Sequence, residues 1–397
     1  MEGHHILLSR NTQQLLQTTV KYIFKGRFQI ENVRFRTTLH NKSIITPKGI
    51  KYRKVFYITI PIGTGFYGYN YWRTTRQNQC ATQFEVRCYC ALPLRAMSRW
   101  WGWIADIELP YVLRPWLYGF YASTFGVNLM EAKTTDLRAY STLSDFFCRE
   151  LKEDARQIDQ NSSLVSPCDG VVLNCSLAEN GVVEQVKGVN YNLNKFLGEN
   201  NYYSDENPLT PDKHLLHNKN NKLYQCTIYL APGDYHRFHS PTDWQPGQRK
   251  HFSGELLSVN PGIASWIPDL FVLNERAVYT GTWKHGFFSM TAVGATNVGK
   301  IRVFFDDCLT TNRKQKDEKI HHDFNHPIQL KKGDLFGEFR MGSTIVLIFE
   351  APPDFEFNIA AGTKIRMGES LENFNDKNCN TAHNLQNAHK IVDVRTR

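Results

Sequence analysis

The sequence predicts an α+β protein, a β-rich body preceded by helices that associate with a membrane. Three observations predict it. Val55–Trp72 is an uncharged segment flanked by Lys54 and Arg73. Leu92–Met130 is dense in Trp, Tyr and Phe, with Arg interspersed. From Ser163 onward the texture changes to short β-rich runs separated by turn residues.

The 397 residues are enough for one large or two modest domains. The net charge is +9. Residues 1–54 hold eleven Lys and Arg against Glu2 and Glu31, so this leader carries all of that charge. A neutral body argues against the basic face that a nucleic-acid-binding domain carries, and no nucleic-acid partner is expected. The leader is acid-poor and rich in Thr and Gln, which reads as a mitochondrial transit peptide, with a disordered basic tail as the plainer alternative.

Residues 55–72 follow as a single transmembrane helix, short for a span and rich in Gly and Pro, with Tyr71 and Trp72 at the interface. Residues 92–160 read as a helical membrane-associating region. Trp100, Trp101, Trp103, Tyr111, Trp116, Tyr118, Phe120 and Tyr121, beside Arg95, Arg99 and Arg114, suit the headgroup layer, and equally suit a core. Pro110 and Pro115 divide the region into short helices.

Residues 161–369 form the β-rich body, with strands at Gly170–Leu173, Leu223–Leu230, Phe287–Val293, Ile301–Phe305 and Thr344–Phe349. Gly198–Asn221 and Leu309–His326 read as loops, and 370–397 as a disordered polar tail. Nine cysteines without a CxxC pair read as free thiols. No metal site, Rossmann glycine pattern, P-loop or HExxH motif is signposted.

Four islands carry possible chemistry. Ser166-Pro167-Cys168-Asp169-Gly170 is a turn by composition. Ala231–Pro241 places His236 and His239 where an apolar strand opens into a loop, a common place for catalytic groups. Gly294–Gly299 lets backbone approach a ligand, or forms a bulge. Gly342-Ser343 sets an unhindered carbonyl beside a hydroxyl ahead of the apolar strand Ile345–Phe349, which suits an N→O acyl shift; locally, a turn entering a core strand explains it as well.

Together with Phe146-Phe147-x-Arg149-x-Leu151-Lys152, Gln185–Gly188 and Asn274-Glu275-Arg276, these islands occur in an order that resembles the phosphatidylserine decarboxylases of mitochondrial type, over Leu92 to Glu369. Met341 and Asp334 depart mildly from that pattern, where the family more often has Leu or Gly, and Glu. The resemblance implies a self-processing enzyme. Ser343 attacks the Gly342 carbonyl, with His239 as base and Asp169 orienting it, and becomes a covalent pyruvoyl group. The chain is thereby cut into a long β and a short α chain that stay together. The pyruvoyl carbonyl then captures the amine of phosphatidylserine in a bilayer and takes up electrons as CO2 leaves, with His236 positioning or donating a proton. The implied product is phosphatidylethanolamine, and the implied place is the mitochondrial inner membrane, body facing the intermembrane space. Two rivals stand beside it: a serine hydrolase using Asp169, His239 and Ser343 on an external substrate, and a non-catalytic lipid-binding scaffold.

Overall fold

The computed structural model describes residues 80–373 except 180, 187, 199–213, 298–299, 315–318 and 341. The leader, the segment 55–72 and the tail from residue 374 lie outside the described residues. Among the described residues no helix is long and apolar enough to cross a membrane.

Three helices come first: α1 (Gln83–Cys90), α2 (Leu94–Ala105) and α3 (Arg114–Phe125). Thr82 and Glu85 cap α1 reciprocally, each side chain taking an otherwise orphaned backbone N–H. Pro110 falls between α2 and α3. Pro115 sits in the first turn of α3, where its missing N–H costs nothing, and Gly126 at φ 69° ends that helix. A short α4 (Leu143–Phe147) follows.

The strands are β1 (Gly170–Ala178), β2 (Val182–Val186), β3 (Val189–Asn192), β4 (Lys222–Leu230), β5 (Arg237–His239), β6 (Trp244–Phe252), β7 (Arg276–Trp283), β8 (Gly286–Val293), β9 (Ile301–Val303), β10 (Ile320–Asp323), β11 (Leu335–Phe339), β12 (Ser343–Ala351) and β13 (Lys364–Ile365). Among them lie α5 (Leu193–Leu197), α6 (Pro261–Ala264) and α7 (Leu270–Leu273). One eight-stranded sheet runs β10-β6-β7-β8-β12-β4-β1-β13; smaller sheets are β5-β11-β9 and β2-β3.

Strand β12 lies between β8 and β4, antiparallel to both. Ile345, Leu347 and Phe349 pack into a core with Phe238, Ile301, Val303, Phe336 and Phe339 of the three-stranded sheet. Val346 and Ile348 face a second core with Val183, Tyr191, Phe196, Leu270 and Phe271. Burial on both faces explains why β12 reads as a continuous apolar run rather than an alternating one. A third cluster, Tyr118, Ala122, Val127 and Phe146, joins α3 to α4.

Two boundaries need correction. Leu309–His326 is not all loop: β10 pairs with β6 there, His321 opposite Lys250 and His322 opposite Arg249. The body does not stop at Glu369 either. Leu371 is buried, its N–H donates to the Leu164 carbonyl, and the Glu372 carboxylate accepts from the Ser163 hydroxyl. In both places polar composition hid ordered backbone.

Candidate active site

Chain reversals gather the islands at one end of β12. Ser343 is paired with Leu230, the last residue of β4. The chain then turns through Ala231–Asp234 and returns as β5, which pairs with β11, and β11 leads directly back to Gly342 and Ser343. Phe339 donates its N–H to the His236 carbonyl (2.9 Å), and His239 donates its N–H to the Pro167 carbonyl (2.8 Å). The Asp169 turn, the histidine loop and the Gly-Ser pair thus meet.

Ser343 is wholly buried, and its hydroxyl has no hydrogen-bond partner. Buried hydroxyls ordinarily find one; those of Thr280, Ser289, Thr291 and Thr344 in the same sheet share the lack, so what distinguishes Ser343 is the glycine before it and the histidine loop beside its strand partner. Gly342 is equally informative. Its φ is not positive, and a Cβ added there meets nothing nearer than the Leu230 carbonyl oxygen at 4.0 Å. Packing does not require glycine at this position.

His236 is fully buried, its ring 4.0 Å from that of Phe147. Its Nδ1 lies 2.9 Å from the Asp234 carbonyl. A carbonyl only accepts, so Nδ1 carries the proton and Nε2 is a bare lone pair, buried and unpartnered. Burial pushes the pKa of His236 down to about 3, so the ring is neutral near pH 7. His239 is arranged likewise: Nδ1 donates to the Gly333 carbonyl (2.9 Å), leaving Nε2 to accept from the Tyr235 hydroxyl (3.0 Å). Burial lowers its pKa too, opposed by the Gly333 bond and, more weakly, by the Asp169 charge. Each ring therefore offers Nε2 as a base.

Asp169 is bonded elsewhere. Its Oδ1 accepts from Arg156 Nε (2.9 Å) and from the Met367 N–H (2.9 Å), and its Oδ2 pairs with the same guanidinium. Arg156 also pairs with Glu131 (2.8 Å). No hydrogen bond joins Asp169, His239 and Ser343 to one another in this conformation. Sequence reading missed Arg156 and Glu131, which carry no local signal because each matters only through the partner the fold brings to it, and it took Tyr235 into the histidine island without giving it a role.

Gly342 lines an apolar cavity of about 640 Å³, walled by Trp101, Phe120, Tyr121, Phe125, Phe147 and Tyr229 among others. Ala295, Thr296 and Asn297 of the glycine-punctuated island complete it. Tyr121 donates to the Pro232 carbonyl (2.9 Å), fixing α3 over the histidine loop. Asn274-Glu275-Arg276 proves to be a buried brace. Asn274 ties Leu257 to Gly294, Glu275 holds His251 and Arg95, and Arg276 stacks on Phe252.

The family model for phosphatidylserine decarboxylase matches residues 143–372. A mitochondrial phosphatidylserine decarboxylase proenzyme of Pongo abelii is 47% identical, over 79% of this chain and 83% of its own length. That of Caenorhabditis elegans is 43% identical, covering 73% and 74%. A mitochondrial proenzyme of Schizosaccharomyces pombe is 39% identical, covering 70% and 80%.

Proposed function

This chain belongs to the phosphatidylserine decarboxylase family and is a decarboxylase, and from that premise we propose that it converts phosphatidylserine to phosphatidylethanolamine and CO2 through a pyruvoyl group made from its own Ser343. The observation that carries this reading is the convergence at the start of β12, where Ser343, beside a glycine that packing does not require, is paired with the residue that opens the histidine loop.

Ser343 is a weak nucleophile until a base takes its proton. His239 is that base, neutral and with Nε2 free to accept once the Tyr235 bond opens. Asp169 favours the imidazolium that results, since its negative charge raises the His239 pKa. Attack on the Gly342 carbonyl moves the acyl group from nitrogen to oxygen. Elimination of that ester leaves Gly342 as a free carboxylate and residue 343 as dehydroalanine. Addition of one water and loss of one ammonia then give the pyruvoyl end.

The residues present fit this group: the orphaned hydroxyl is its precursor, and the cavity at Gly342 admits an apolar, amine-bearing substrate. The pyruvoyl carbonyl supplies an electron sink for decarboxylation. His236, with its bare Nε2, holds or returns the proton at the substrate carbon. The α piece remains in place because β12 is paired along its length from Ser343–Leu230 to Ala351–Lys222.

Trp100, Trp103, Val112, Trp116 and Phe120 are exposed on and between α2 and α3, whose inner faces line the cavity. Large exposed apolar side chains so grouped suit a bilayer surface. The relatives are named mitochondrial; the inner membrane, with the body toward the intermembrane space, is our placement. Intact mass tests the whole reading. A fragment spanning Ser343–Arg397 and lighter by one ammonia is expected, whereas a single uncut chain with a fluorophosphonate-reactive Ser343 overturns it.

A further inference from the structure

At one edge of the eight-stranded sheet, three ligand-type side chains from two segments converge. Asp306 and Cys308 stand two apart on the turn after β9, closed by hydrogen bonds from Asp306 N–H to the Val303 carbonyl and from Leu309 N–H to the Asp306 carbonyl (both 3.2 Å). His322 stands on β10, opposite Arg249 of β6. One ligand atom from each of Asp306, Cys308 and His322 lies within 4.8 Å of the other two.

The Asp306 carboxylate is set up asymmetrically. Its Oδ2 accepts a hydrogen bond from the Tyr279 hydroxyl (2.8 Å) and is ion-paired with Arg249, whose Nε lies 2.8 Å away. Its Oδ1 is buried and has no hydrogen-bond partner. A buried carboxylate oxygen without a partner is unfavourable, and a cation removes that penalty. Arg249 and Tyr279 stand to Asp306 as outer-shell groups stand to a metal ligand, fixing the plane of the carboxylate.

We propose that Asp306, Cys308 and His322 form a binding site for a divalent transition-metal ion of the Zn²⁺ class, with the fourth position taken by water. Thiolate and imidazole select such ions over Mg²⁺ and Ca²⁺, which take oxygen ligands. Bonds of about 2.0–2.3 Å require the three atoms to draw together by roughly 1 Å. Cys308 is exposed and His322 half-exposed, so both have room to move. The ion would staple the 304–309 turn to edge strand β10, and binding would release the Cys308 thiol proton.

The test is a Co²⁺ titration of the purified full chain after chelation, with Zn²⁺ as competitor, alongside Cys308→Ser and His322→Ala. Circular dichroism confirms that each variant is folded. The expected result is one Co²⁺ per chain, a thiolate-to-cobalt charge-transfer band that Zn²⁺ removes, and loss of that band in both variants. Affinity should fall by more than the roughly 10- to 100-fold that loss of an outer-shell partner costs. Absence of Co²⁺ uptake overturns the site, as does a band that survives Cys308→Ser, which places the metal on another thiol, or one undiminished in His322→Ala at the same Co²⁺ concentration, which removes the imidazole from the ligands.

Discussion

Helices α2 and α3 and the start of β12 break the rules of a folded interior in opposite ways. The helices leave large apolar side chains in water: Trp100 is 67% exposed and Trp116 72%. The β12 end buries polar atoms without partners, the Ser343 hydroxyl and His236 Nε2. Each departure costs stability if the chain is considered alone. The difference matches the division of labour proposed above, in which exposed apolar surface meets a lipid layer and enclosed polar atoms take part in a reaction on the chain itself. The two regions share the cavity at Gly342 and should otherwise fail independently.

The largest expected effect comes from removing the buried hydroxyl. Ser343→Ala should abolish self-cleavage and leave one chain of 46.0 kDa on a denaturing gel, while binding to vesicles stays unchanged. Cleavage in that variant would remove Ser343 from the reaction altogether. The reverse experiment replaces Trp100, Trp103 and Trp116 together by Ala. At about 1.5 kcal/mol for each large side chain withdrawn from water, vesicle affinity should drop by roughly tenfold per tryptophan, with self-cleavage intact. Co-sedimentation with anionic vesicles reads the first quantity and a gel the second. Equal vesicle binding by the triple variant would dissolve the comparison.

The aromatic region was legible as a composition, but not residue by residue. The same stretch that exposes Trp100 and Trp116 turns Tyr118 wholly inward onto Phe146, and sends Arg95 to Glu275. Helical facing against a body that sequence does not draw decides which is which. Strand β12 was readable because burial on both faces leaves an unbroken apolar run. Strand β6 was not, because its interior is polar: Arg249 is ion-paired with Asp306 and His251 with Glu275, residues far along the chain. The site shows the same limit. Asp169, His236, His239 and Ser343 were nominated through a resemblance in motif order, whereas the grip of Arg156 on Asp169 and of Tyr235 on His239 exists only in the fold.

A pH experiment sharpens the contrast, because the buried region titrates abnormally. His236 has its pKa lowered from 6.5 to about 3 by burial. Above pH 6.5 the ring is neutral in folded and unfolded chains alike, and the stability tied to it is fully present. Below pH 6.5 the unfolded chain takes up a proton that the folded chain refuses, so stability falls as pH drops toward 3. His239, also lowered, adds to the loss. Urea midpoints at pH 7.5 and pH 5 should therefore separate by more in the Ser343→Ala chain than in the same chain carrying His236→Phe. Equal separations would mean that His236 is not held neutral by burial.

The smallest effect on the fold, and the sharpest on mechanism, belongs to Gly342. Because φ is ordinary there and a Cβ meets only the Leu230 oxygen at 4.0 Å, Gly342→Ala should change folding stability by no more than about 0.5 kcal/mol. Its methyl group would crowd the carbonyl that Ser343 must approach. A misplacement of even part of an ångström at the reacting atoms should slow cleavage by about tenfold to a hundredfold. Stability and rate would then part company in one variant. Paired measurements of urea midpoint and cleavage half-time decide it. If both change together, the glycine serves the packing of β12; if only the half-time lengthens, it serves the attack by Ser343.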